Sequence, residues 1–227
     1  MSLNIYHLGS YCLLCILFSS SCQSEQAVAE QLSYTGSFNV RYLAESSELR
    51  GQATIYAPDS TTVLLEKGLA FMSSGTQLKQ LPRQVNRYDG KQRIPYTSPL
   101  RFDFTLPEQT TITQVSLAML GISDFSITSA SKADGLRLDI DGNIKADESL
   151  LLLLTDSNQE LRTIVRPGPL STESLFIPAD AIALFTPGDY RLYLVKSKKI
   201  TGKTDDGFEY NFAIEFYTRE KNFTLAE

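Results

Sequence analysis

Histidine, cysteine and tryptophan are almost missing from this 227-residue chain, which has one His, three Cys and no Trp. The four that exist, His7, Cys12, Cys15 and Cys22, all lie at or before position 22. Everything after Cys22 therefore lacks imidazole general bases, His-ligated zinc, thiol nucleophiles and disulfides. Apolar runs are also short: none approaches the roughly 20 residues that a helix needs to cross a bilayer. A net charge of −5 argues against general affinity for nucleic acid or anionic lipid.

What remains is ordinary globular material, with 42% apolar and 21% charged residues, enough to build a core. Charge is unevenly spread. Residues 79–101 carry six basic side chains against the single acid Asp89, whereas residues 102–186 carry five against twelve. The basic stretch reads as a solvated loop or an edge strand.

Near the start, the apolar run of residues 11–18 is followed by Ser19-Ser20-Ser21-Cys22. This resembles a bacterial lipoprotein signal peptide of the serine-rich Bacteroidetes type. The resemblance implies cleavage before Cys22, diacylglycerol on its thiol and a fatty acyl chain such as palmitate on its new amine. Residues 1–21 are then the signal peptide, and the small polar residues 22–32 a flexible tether. Gln23, rather than aspartate, follows the cysteine, which in this family implies the outer membrane, on its periplasmic face or at the cell surface. An ordinary secretory signal with Cys22 incidental is the competing reading.

From Tyr34 onward, β-branched and aromatic residues alternate with polar ones between turn clusters, so the spacing predicts strands. Phe38, Val40 and Tyr42, then Ala53, Ile55 and Ala57, predict a hairpin closed by the polar Glu45-Ser46-Ser47-Glu48. Further strands are expected over residues 62–65, 69–72, 100–106 and 112–120, and then over 125–128, 136–140, 150–154, 161–165 and 175–177. The five leucines at 150–154 predict a strand buried on both faces or central in a sheet. The last hairpin is the clearest, with Tyr190, Leu192 and Leu194 on one arm and Phe208, Tyr210, Phe212, Ile214 and Phe216 on the other.

The segment Leu184-Phe-Thr-Pro187-Gly188-Asp-Tyr190-Arg-Leu192-Tyr-Leu194 resembles the corner and following strand of immunoglobulin-like and fibronectin type III domains. In those folds a Tyr at this corner hydrogen-bonds back to the backbone, which implies a structural role for Tyr190. The expected fold class is all-β: two tandem Ig-like β-sandwich domains, residues 33–122 and 123–227, with a boundary near Ile122. One larger sandwich is the competing architecture.

Candidate chemistry is sparse. Asp139, Asp141, Asn143 and Asp147 place oxygen ligands at odd positions of a short loop, a pattern that calcium can use. The alternative is an Asp-Gly turn with a solvated acidic rim. Thr201-Gly202-Lys203-Thr204 resembles the tail of a P-loop, but Ser197 stands where the first glycine belongs, so no nucleotide is expected. The lysines of residues 196–203 read as a charged hairpin tip, able to meet an anionic glycan. Asp59-Ser60-Thr61 matches the short Bacteroidetes O-glycosylation pattern. Catalysis without His or Cys remains open through paired carboxylates or a Ser-Lys dyad.

Taken together, the sequence predicts a non-enzymatic lipoprotein attached to the envelope through Cys22. It needs no cofactor beyond its covalent lipid, takes an envelope protein or a glycan as partner, and binds neither nucleic acid nor nucleotide. A glycan-binding or glycan-active envelope protein using carboxylate chemistry is the alternative.

Overall fold

The computed structural model describes residues 33–171 and 173–227. The leader, Cys22 and the tether expected over residues 22–32 lie outside them. The described chain is all-β, with two short 3-10 turns at Pro82–Gln84 and Ala179–Ile182. The first half runs β1 (Thr35–Leu43), β2 (Glu48–Tyr56), β3 (Leu69–Phe71), β4 (Ser74–Gly75), β5 (Gln77–Leu81), β6 (Val85–Arg93), β7 (Leu100–Phe104) and β8 (Thr113–Leu117). The second runs β9 (Asp124–Ser131), β10 (Gly135–Asp141), β11 (Glu148–Asp156), β12 (Leu161–Pro167), β13 (Leu175–Ile177), β14 (Gly188–Lys203), β15 (Glu209–Tyr217) and β16 (Lys221–Leu225).

These strands form three sheets. The largest has nine strands in the order β12-β11-β14-β15-β1-β2-β6-β5, with β16 beside the first part of β14. The others are β4-β3-β7-β8 and β13-β10-β9. The strands on the two sides of Ile122 are therefore not in separate sandwiches with their own sheets. β1 pairs in parallel with β15 along its whole length, from Thr35 opposite Glu209 to Leu43 opposite Tyr217. Residues 32–227 form one compact unit, and Ile122, expected at an interdomain boundary, is itself buried in the core.

The physical reason for the fusion lies in the match of two alternating patterns. Phe38, Val40 and Tyr42 of β1 stand opposite Phe212, Ile214 and Phe216 of β15, and all six side chains are buried. Each such side chain contributes about 1.5–3 kcal/mol on leaving water. Phe102 from β7 closes over this row, 5.0 Å from the Phe38 ring and 5.6 Å from Phe212.

β14 has 16 residues and serves two partners on one side: β16 over its first part and β15 over its second. Where it changes partner, Leu194, Val195 and Lys196 are all buried, so the two-residue alternation breaks. Thr218 fills the gap between β15 and β16. Its hydroxyl accepts the Leu194 N–H at 2.9 Å, and its own N–H donates to the Leu194 carbonyl at 3.0 Å.

The basic stretch at residues 79–101 contributes β5, which is an edge strand, and β6 beside it. The leucines of β11 form an interior strand of the large sheet, between β12 and β14, and not one buried on both faces. Leu150, Leu152 and Leu154 are fully buried, while Leu151 and Leu153 are half-exposed on the outer face.

Gly51 of β2 and Gly90 of β6 are cross-strand neighbours that leave a hollow for the fully buried Phe71. A Cβ at Gly51 would lie 2.7 Å from the Phe71 ring. Gly51→Ala is expected to lower stability by about 1–3 kcal/mol through overpacking. Urea unfolding checks this: the midpoint should fall without a change in slope.

Candidate functional site

The segment linking the two halves is strapped down by polar contacts. The Ala118 carbonyl accepts from Lys198 Nζ at 3.2 Å, and the Met119 carbonyl accepts from the Tyr96 hydroxyl at 2.7 Å. The Met119 N–H donates to Ser98 Oγ at 3.2 Å, and the Ser123 N–H to the Asp141 carbonyl at 2.9 Å. These bonds give an irregular segment partners for backbone groups that would otherwise be buried alone.

Beside this strap opens a cleft of about 1100 Å³. Tyr42, Tyr96 and Phe216 line it and pack on one another, with ring centroids 4.9–5.2 Å apart. Its rim carries Asp124, Asp141, Arg219, Glu220 and Lys221. Tyr42 and Phe216 are almost fully buried, so the rings form a floor tied into the core rather than an open aromatic platform.

Of the rim acids, Asp124 is poorly suited to act as a general acid. The Lys221 ammonium, 2.7 Å away, and the backbone N–H of Phe125 hold the Asp124 carboxyl below the usual carboxylate range. A glycosidase general acid needs the opposite shift. Asp124 and Asp141 are cross-strand neighbours at the end of β9 and β10.

The four oxygen ligands suggested for calcium do not converge. Asp139 and Asp141 are on the exposed face of β10, and Asp147 pairs with Lys198 at 2.8 Å. The backbone carbonyl of Asn143 accepts from Lys196 Nζ. Among the described residues no three His, Cys, Asp or Glu side chains are grouped to hold a metal ion.

Tyr190 stands where the corner resemblance implies. Its hydroxyl donates to the Thr186 carbonyl at 2.9 Å, and its ring stacks between Phe185 and Phe223 at 5.8 and 5.7 Å. The lysine cluster is not a uniform hairpin tip. Lys196 is fully buried and Lys198 turns inward to Asp147, leaving Lys199 and Lys203 exposed. Lys203 pairs with Glu209 at 3.1 Å. Asp59-Ser60-Thr61 is an exposed turn, in which the Thr61 N–H and hydroxyl both donate to Asp59 Oδ1.

Close to the cleft is a feature that the strand alternation could have revealed. Lys196 continues the inward series Tyr190, Leu192, Leu194, and Glu148 begins the inward series Leu150, Leu152, Leu154 on the adjacent strand. Both side chains are fully buried and meet at 2.9 Å. Glu148 Oε2 also accepts the Lys145 N–H at 2.8 Å, whereas Oε1 is buried with no partner among the described residues. Burial, with the Glu148 charge as a second cause, raises the pKa of the Tyr96 hydroxyl.

A buried pair is costly to break but not necessarily to replace. Lys196→Ala should destabilise the protein by about 3–5 kcal/mol, because it strands the Glu148 carboxylate. Lys196→Met combined with Glu148→Leu should be neutral or more stable by about 1–4 kcal/mol; chemical denaturation of the three proteins checks both. The raised Tyr96 pKa acts at high pH. Its contribution is complete below the unfolded value of about 10 and is lost as pH rises through the folded value. A melting temperature that falls above pH 10, with a shallower fall in Tyr96→Phe, is the expected result. No protein-family model and no curated protein matches the chain.

Proposed function

We propose that this is a lipid-anchored envelope protein of the outer membrane, acylated on Cys22, whose β-sandwich body is a binding or structural module rather than an enzyme. The observation that carries the reading is the apolar run of residues 11–18 ending in Ser19-Ser20-Ser21-Cys22, only twelve residues before β1 begins at Thr35. At no more than about 3.6 Å per residue, that stretch reaches roughly 45 Å, which keeps the body close to the bilayer. Three acyl chains, each methylene contributing about 0.8 kcal/mol, make such an anchor stable.

At the cleft rim the pairing of Asp124 with Lys221 does not suit that carboxylate to donate a proton. The Ig-like resemblance of the C-terminal part fits a binding or structural role. There the three-stranded β13-β10-β9 sheet accompanies β12-β11-β14-β15, and the Tyr190 corner holds the turn before β14.

Production of the full chain in a Bacteroidetes host fed an alkynyl palmitate analogue tests the anchor. The wild-type protein should be labelled, fractionate with the outer membrane and give a tri-acylated N-terminal peptide starting at Cys22. Cys22→Ala should lose the label. An unlabelled wild-type protein, or one whose mature N-terminus lies elsewhere, would refute the assignment.

A further inference from the structure

The nine-stranded sheet has two ends, and they differ. At one end β5 is five residues long, carries Lys79 next to the exposed Leu78 and stops at Pro82. Short length, lysine and proline are the usual devices that discourage a sheet edge from pairing further. At the other end β12 has seven residues, with arginines at 162 and 166 and a proline only at its last position, Pro167, and its β-branched run Thr163-Ile164-Val165 holds neither proline nor lysine.

The hydrogen-bond phase of β12 is fixed by its two ends. The Gly168 N–H donates to the Glu148 carbonyl at 2.9 Å, and the Asp156 N–H to the Glu160 carbonyl at 3.2 Å. In an antiparallel ladder, bonded pairs alternate with non-bonded ones. Arg162, Ile164 and Arg166 therefore bond to β11, and Leu161, Thr163 and Val165 direct their N–H and C=O groups at the open edge.

The side chains of these three residues lie on the outer face, where Leu161 is 60% and Val165 59% exposed. Across the register Val165 meets Leu151 and Thr163 meets Leu153, so half-exposed leucines extend the apolar surface inward from the edge. On the other face Arg166 makes no ion pair among the described residues, and Glu160, whose side chain is 63% exposed, pairs with Arg162 at 3.0 Å and keeps a second carboxylate oxygen for a further cation.

We propose that β12 is a dimerisation edge that pairs antiparallel with β12 of a second copy, joining two nine-stranded sheets across a twofold axis at Thr163. The argument is self-complementarity. With Thr163 opposite its own symmetry mate, Leu161 faces Val165 and Glu160 faces Arg166, each twice. About six backbone hydrogen bonds then close from the three outward-facing residues of each strand. Apolar, Thr–Thr and opposite-charge cross-strand pairs are all favourable. The register centred on Ile164 is disfavoured, because it sets Arg162 against Arg166 and Leu161 against Pro167. A twofold interface needs this kind of self-matching patch.

The inference specifies the binding surface of the module proposed above but does not depend on its lipid. The test therefore uses the full chain with Cys12→Ser, Cys15→Ser and Cys22→Ser. In that background Thr163→Cys introduces the only thiol. The paired Cα atoms would be about 5.5 Å apart, within disulfide range. Mild oxidation should give a covalent dimer on a non-reducing gel, and sedimentation velocity should show a dimer without the added thiol.

Arg166→Glu should weaken dimerisation by about tenfold or more by opposing Glu160 with a second carboxylate, and adding Glu160→Arg should restore it. An unchanged melting temperature in Arg166→Glu shows that the loss is not unfolding. A monomer at all concentrations, a dimer indifferent to Arg166→Glu, or the absence of a Thr163→Cys crosslink would overturn the proposal. Capture of a different protein by a monomeric edge would do the same. None of these outcomes bears on acylation at Cys22.

Discussion

The pairing of β1 with β15 is the constraint on which the architecture depends. It is parallel, it joins residues more than 170 positions apart, and it is the one seam that makes a single sheet of strands from both halves. Parallel strands need a long crossover, and here the crossover is almost the whole described chain. The pairing holds because both strands present an unbroken apolar series to the same side: Phe38, Val40 and Tyr42 against Phe212, Ile214 and Phe216. A slip of one strand by one residue would turn its three apolar side chains to the solvent face.

The remaining junction features follow from that seam. Fusing two sandwich-like halves brings the start of β11, the middle of β14 and the linking segment into one buried region, where Glu148, Lys196 and Tyr96 are enclosed. The carbonyls of Ala118, Met119 and Asn143 receive the polar hydrogens of Lys198, Tyr96 and Lys196. A lysine and a glutamate in this region therefore anchor irregular backbone to regular strands. The cleft is a by-product of the same geometry, since its aromatic floor is the end of the shared core.

The outer face of the large sheet changes character along its width. On β1, β2, β6 and β15 it carries ion pairs, such as Arg41 with Glu215 at 2.8 Å and Arg87 with Asp89 at 2.9 Å. Toward β11 and β12 it becomes apolar, with Leu151, Leu153, Leu161 and Val165. Solvated ion pairs contribute little to stability, but they keep that part of the face soluble and unpaired. The apolar part has fewer such pairs and ends at an edge whose proline, Pro167, stands only at its last position, which is why the two sheet ends call for different readings.

Local pattern was enough to set the fold class and most strands. Alternation depends on neighbours in sequence, so β1, β2, β10, β13 and the β14–β15 hairpin were legible, as was the turn that Tyr190 closes. Polar or short strands such as β4, β5 and β16 gave no such signal, because their place in a sheet comes from partners rather than from burial. Cys22 and the chemistry excluded by scarce His and Cys also belong to sequence alone, since they are matters of composition and position. Tertiary structure decided that the halves share a sheet, that Lys196, already on the inward face by alternation, meets Glu148 there, and that Asp139, Asp141 and Asp147 are not grouped. Each of those depends on which distant strand lies alongside, and long-range pairing leaves no trace in the spacing of one strand's own residues.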